Sequence, residues 1–288
     1  MQDILTCAMG LDVHRDVIVA CLAKGELGTD PEIEIRSFST LIPEMRKLRD
    51  WVIETGCHHI AMESTGIYWQ PIYEMLEPCF DGQISILVVN ARHMKNVPGR
   101  KTDMRDAQWI AALLRAGLLK GSFIPDKPFR ELRHLTRYRK SIVHDITAQK
   151  NRIDKFLQSS GFRFIAFLSD AFGASGRNII RHLTEHGSIS KETLDKCLKT
   201  QTRKRIDEIL IALNGSLSEH QRSFLQMTFG HLELLEQHRH AVEDAIAEEI
   251  VKHENALGLL CSIPGIDATA AADIIAEIGT DSQAFRML

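Results

Sequence analysis

The chain has 288 residues, 44% hydrophobic and 25% charged, with a net charge of -3. On length this is about two domains with real cores, and the charge total alone predicts no nucleic-acid partner. No segment reaches the ~18 apolar residues of a membrane span, no basic-then-apolar leader opens the chain, and the six cysteines show neither C-x-x-C nor zinc spacing, so we expect a cytoplasmic protein with reduced thiols and no membrane partner.

Met9–Val13 and Val17–Leu22 are rich in Val, Ile and Leu and read as buried strands joined by His14-Arg15-Asp16. Ile33–Phe38 alternates and completes an antiparallel meander. Asp12 stands inside an apolar strand, where an unpaired carboxylate is costly; it must be paired, hold a cation, or sit at the strand's edge. Ile42–Glu54 has helical spacing at Met45, Leu48, Trp51 and Val52, and Gly56 ends it. A short strand His59–Met62 runs into Glu63, a helix covers Tyr68–Leu76, and Gln83–Val89 is a further apolar strand. The order β-β-β-α-β-α-β-α predicts a mixed sheet with helices on its faces.

Lys101–Ala107, KTDMRDA, opens the next helix, which runs through Leu114. Asp103 and Asp106 share one helical face, and Arg100, Lys101 and Arg105 crowd around them. Such carboxylates can hold a hard cation such as Mg²⁺ and such cations a phosphate chain. Equally, Asp103 can be an N-cap and Asp106 a complement to the helix dipole. Asp12 and Glu63 lie at strand ends, where sites of α/β sheets collect. If the first and fourth strands are neighbours, four carboxylates converge, and two divalent ions would relieve their repulsion.

Pro125 and Pro128 mark a boundary. Phe129–Gln158 contains neither Pro nor Gly and carries two seven-residue series, Leu132/Arg139/Ile146/Ile153 and Leu135/Ile142/Gln149/Phe156. That is a coiled-coil seam with two polar interruptions, able to pack within the chain or between subunits of a homo-oligomer. Between Arg92 and Arg163 stand 17 Lys and Arg against 6 Asp and Glu; the remainder holds 18 against 32. A basic middle in an acidic chain suits a polyanion, with Arg133, Arg137 and Lys140 as backbone contacts, although solvated helix faces would look the same. Gly161, Gly173, Gly176 and Gly187 are read as breaks; Ser190–Leu198 and Arg203–Leu213 as helices; Leu232–Ile250 as a second long amphipathic helix. His182 and His186 have ligand spacing, but H-E-x-x-H is absent and packing or surface is the simpler account. Leu257–Ser262, Ile263-Pro264-Gly265-Ile266-Asp267 and Ala268–Ile278 have the shape of a helix-hairpin-helix, with Gly265 in the turn and N-terminal amides free for a phosphate.

GLDVH at Gly10–His14, AMESTG around Glu63, KTDMRDA, and the IPGI…AAADIIAEIG stretch together resemble the DEDD insertion-sequence transposases of the IS110 family. The resemblance implies a RuvC-like, RNase H-like α/β domain over 1–124, a helical coiled-coil region over 125–255, and the start of a C-terminal transposase domain with its helix-hairpin-helix over 256–288. It implies that Asp12, Glu63, Asp103 and Asp106 are the catalytic, metal-binding set, with Mg²⁺, two ions, as cofactor. It further implies DNA partners (element ends and target), a structured guide RNA, and a C-terminal serine nucleophile. The family's serine lies downstream of the hairpin; here the sequence stops at Leu288, and Ser262 and Ser282 are misplaced for that role. On that basis the chain is expected to be a truncated copy that keeps the metal site and lacks the nucleophile. A RuvC-like nuclease using water and a non-enzymatic coiled-coil nucleic-acid-binding protein are the alternatives. An actin-like sugar kinase is rejected, since bulky Val13-His14-Arg15 follows Asp12 where phosphate would need small glycines.

Overall fold

The computed structural model describes residues 3–64, 66–90 and 106–280. They fall in two units, one up to Ile124 and one from Pro125 onward. In the first, strands β1 (Cys7–Val13), β2 (Val17–Lys24) and β3 (Glu32–Ser39) form the expected meander. Helix α1 (Ile42–Thr55) leads to β4 (His59–Glu63), α2 (Trp69–Leu76) to β5 (Ser85–Val89), and α3 spans Asp106–Arg115. The sheet order is β3-β2-β1-β4-β5. β2 is antiparallel to both its neighbours, whereas β1, β4 and β5 run parallel. A meander continued by two parallel strands, with helices on both faces, fits an RNase H-like α/β fold.

The two faces differ in side-chain size. On one, Met9, Leu11, Val13, Ile18, Ile60 and Met62 meet Met45, Leu48, Trp51 and Val52 of α1 and Ile72 and Leu76 of α2. Each of these large residues contributes about 1.5–3 kcal/mol by leaving water. On the other face Ala8, Gly10, Cys21, Ala23 and Ala61 are small, and so are Ala107 and Ala111 of α3. Small against small lets helix and strand backbones nearly touch. A Cβ on Gly10 would lie 2.2 Å from the Ala107 carbonyl oxygen and 2.4 Å from the Ala111 nitrogen.

The other end of α3 is held by Arg115. Its side chain, 2% exposed, donates to the carbonyls of Leu5, Gly25, Glu26 and Thr29 and lies 3.4 Å from Asp3. The Arg115 carbonyl in turn accepts from the amides of Ile4 and Leu5. So α3 runs antiparallel to β1, starting at the strand's carboxyl end and finishing beside its entrance.

In the second unit α4 (Lys127–Ser159) and α9 (Glu219–Ile250) are the long helices. Ile146, Ile153 and Leu157 share a core with Leu225, Phe229 and Leu232, while Phe129 and Leu132 share another with Ile246 and Ile250. The helices therefore pack antiparallel within one chain, and this packing occupies the seam that could have joined subunits. Both polar interruptions are paired, one across this seam and one to the later helix that carries Asp273. Gln149 Nε2 donates to the Thr228 carbonyl at 2.7 Å, and Arg139 donates to both carboxylate oxygens of Asp273 at 3.0 and 2.9 Å.

Helix α5 (Ala174–His186) stands where glycines suggested breaks. Gly176 lies inside it because a Cβ there would be 1.9 Å from the Ala171 carbonyl oxygen. It acts as a point of close approach, not as a terminator. α6 (Lys191–Cys197) starts from Ser190, whose side chain accepts from the Thr193 amide. The helix expected over Arg203–Leu213 is α8 (Ile206–Ala212), which starts after Arg205, whose φ of -109° lies outside the helical region; a short α7 (Thr200–Arg203) precedes it. α10 (Glu254–Cys261) and α11 (Ala268–Ile278) close the described chain. α11 docks on α4 through Ala272, Ile275 and Ala276. Among the described residues no helix is long and apolar enough to cross a membrane.

Two outcomes follow from this packing. Gly10→Ala must push α3 off the sheet, and overpacking of this kind costs about 1–3 kcal/mol or more; urea unfolding should show that loss. The second concerns Glu277 of α11, which accepts from Arg137 at 2.8 and 3.0 Å. That hydrogen bond holds its carboxyl below the usual carboxylate range, with Arg133 and Lys140 helping and burial opposing. A carboxyl depressed in the folded state gives stability that is present above its unfolded value, ~4.3, and lost as pH falls through the folded one. Amide exchange in α11 should therefore accelerate relative to α9 below about pH 4, and Glu277→Gln should flatten that dependence.

Candidate functional site

Asp12 is the penultimate residue of β1, and Glu63 is the last of β4. The parallel register sets Gly10 beside Ala61 and Leu11 beside Met62. Continued by one residue, it sets Asp12 beside Glu63. Side chains alternate along a strand, so Asp12 shares a face with Gly10, and Glu63 with Ala61. This is the face that α3 covers. Asp106 is the first residue of α3, one position before the Ala107 carbonyl that Gly10 admits. Three carboxylate-bearing positions thus meet at the carboxyl end of β1 and β4, on one face, at the electropositive start of a helix.

Asp12 is mostly buried, its side chain 16% exposed, and its Oδ2 lies 3.1 Å from His14 Nε2. His14 is exposed and follows β1 directly, in the tight link to β2 whose other end is tied by the His14 amide donating to the Val17 carbonyl. The apolar central strand therefore ends in a carboxylate with an imidazole partner. Glu63 is half-buried and Asp106 exposed.

Carboxylate oxygens with one imidazole are donors suited to a hard divalent cation. Among the described residues no group of three His, Cys, Asp or Glu side chains is close enough to hold a metal ion. The convergence is one of backbone positions. Asp103 lies outside the described residues, as do Arg100, Lys101 and Arg105.

The other expected nucleic-acid contacts are placed in the second unit. Arg133 and Arg137 turn to the C-terminal end of α11. Arg133 donates to the carbonyls of Ala276 and Glu277 at 3.3 and 2.6 Å, and both guanidiniums pair with the Glu277 carboxylate. Their charge already complements a helix C-terminus. Lys140 is exposed on the same helix, and Tyr138, 52% exposed, stands near it. Gly265 sits in the exposed turn between α10 and α11 with a φ of +90°, in the region that favours glycine. Asp267 caps α11, its Oδ1 accepting from the Ala270 amide at 2.7 Å. A phosphate at those amides would have to displace the chain's own carboxylate, which corrects the expectation of a free anion site there. His182 and His186 stack at 4.2 Å on α5.

Sequence reasoning missed Arg115 and the role of Gly10. An arginine closing an apolar helix reads as a solvated cation, and nothing local shows the four carbonyls it meets.

A family model described as a transposase, of the DEDD IS110 type, matches residues 9–161, more than half of the chain. No curated protein matches. Among solved structures, the RuvC structure of Thermus thermophilus is similar at 12% identity over 40% of this chain and 99% of that one, with a TM-score of 0.28; at that score the likeness carries no argument.

Proposed function

Because this chain belongs to the DEDD transposase family of the IS110 type, we propose that it cuts and transfers DNA strands at the ends of an insertion sequence, using Asp12, Glu63, Asp103 and Asp106 as a metal-binding set. The observation that carries the reading is the register of β1 on β4, which sets Asp12 beside Glu63 under the start of α3. Two divalent ions, Mg²⁺ by the hardness of the donors, would when bound stabilise charge on the phosphate and its leaving oxygen. The chain's own part is to hold the carboxylates. Gly10 fixes the distance of α3 from β1, and His14 orients Asp12.

The basic stretch from Arg92 to Arg163 supports nucleic-acid contacts along the outer face of α4, with Lys140 as a phosphate contact, and Arg100, Lys101 and Arg105 are proposed as further phosphate contacts. Choice of donor and target by a guide RNA belongs to the same reading through the family. A second copy of the chain would have to join through surfaces other than the α4–α9 seam.

The direct test is element-end DNA with Mg²⁺, resolved on a denaturing gel with and without the partner RNA. Metal-dependent cleavage should appear and fall about 100-fold or more in Asp12→Ala. Cleavage that survives Asp12→Ala and Glu63→Ala together would overturn the site. Binding without any cleavage would favour a non-enzymatic nucleic-acid-binding role. Affinity should also fall steeply as salt rises, and Lys140→Glu should weaken all sequences alike, because phosphate contacts carry no base information. A flat salt response would reject these contacts.

A further inference from the structure

At the other end of β1 and β4 from the carboxylates stand two cysteines. Cys7 opens β1, and Cys57 lies in the link between α1 and β4, next to Gly56, which ends the helix. The register pairs Met9 with Ile60. Counted back two residues on each chain, Cys7 comes beside His58, one position from Cys57. Both thiols face the α1–α2 side. Cys57 is fully buried in that core, and Cys7 packs against it while remaining partly open to solvent. Both are free thiols, and no disulfide joins them. Neither has a part in the site described above.

The pair is chemically unequal. The neighbouring Cys57 side chain brings the Cys7 thiol down to about 7, against the effect of burial, and Lys24 adds to the lowering. Lys24 sits opposite Cys7 on β2. Cys57 is pushed up by the same contact and by burial, and its Sγ also donates to the His59 carbonyl at 3.3 Å. One sulfur is thus reachable and partly ionised near neutral pH. The other is sheltered in the core, its thiol donating to the His59 carbonyl, one position from the strand neighbour of the first. That division matches an attacking and a resolving thiol.

We propose that Cys7 and Cys57 are a peroxide-responsive thiol pair, Cys7 taking the oxidant and Cys57 resolving it to a disulfide that ties β1 to the entrance of β4. The Cys7 thiolate attacks a hydroperoxide oxygen; an S–O bond forms, the O–O bond breaks, and the departing oxygen is protonated to water or alcohol. Cys57 sulfur then attacks the Cys7 sulfenic sulfur; the S–S bond forms, the S–O bond breaks, and the hydroxyl leaves as water with the Cys57 proton. Two electrons pass from the two thiols to the peroxide. The strand neighbours and shared face suit the short Cα separation a disulfide demands.

The experiment uses the full reduced chain with Cys261→Ser, which removes the exposed thiol, and a few equivalents of hydrogen peroxide. Intact mass should fall by about 2 Da, a peptide map should join Cys7 to Cys57, and the oxidised protein should melt at a higher temperature than the reduced one. In Cys57→Ser, Cys7 should instead stop at a sulfenic acid that a cyclic 1,3-dione traps. Cys7→Ser should leave Cys57 unoxidised. Should a variant fail to fold, iodoacetamide on the unmutated chain gives an independent measure: at pH 7 Cys7 should alkylate faster than the more exposed Cys261. A link from Cys7 to any other cysteine, stable oxygen addition at Cys7 without a link, or slower alkylation of Cys7 than of Cys261 would each overturn the proposal.

Discussion

The first unit depends on one backbone-to-backbone contact. Gly10 is the only residue type that lets the carbonyl of Ala107 approach to 2.2 Å from where a Cβ would be. Everything that places the carboxylate end follows from it. The alanines of α3 settle on the small face of the sheet, Asp106 arrives at the end of β1, and Arg115 reaches the strand entrance to close the other end of the helix. Two short-range constraints, one steric and one polar, thus fix the direction of a helix that sits about a hundred residues from the strand it covers.

The second unit is organised by pairing of buried polar groups rather than by a close approach. Arg139 with Asp273 and Gln149 with Thr228 lie in an otherwise apolar seam. A shift of α9 along α4 by one turn would move Thr228 from Gln149, and a shift of α11 would move Asp273 from Arg139; a buried charge without a partner is costly. The apolar residues supply the attraction between these helices, and the polar pairs select one register of it.

Much of the first unit was legible. The β-branched runs, the Pro and Gly punctuation and the position of Asp12 within an apolar strand all report local physics, and the strands and helices lie within a few residues of expectation. Asp12 stood out for the same reason, since a charge in a buried strand demands an explanation, and His14 partners it. What failed was long-range. Gly176 reads as a breaker unless Ala171 is known to lie against it. Arg133 and Arg137 read as a bare basic surface because Glu277 stands about 140 residues later. The amides of α11 read as a phosphate cradle until Asp267 is seen to fill it.

The closure of α3 by Arg115 has a consequence for how the first unit comes to be folded. The guanidinium of Arg115 bonds the carbonyl of Leu5 across 110 residues, so this contact carries a high loop-closure cost and forms late. A ribosome delivers the chain from its N-terminus. The meander can pair as soon as β3 has emerged, but the small face of the sheet stays open until the last turn of α3 is free. A nascent chain stopped before Arg115 would therefore expose an alanine-and-glycine sheet face to any helix that could imitate α3.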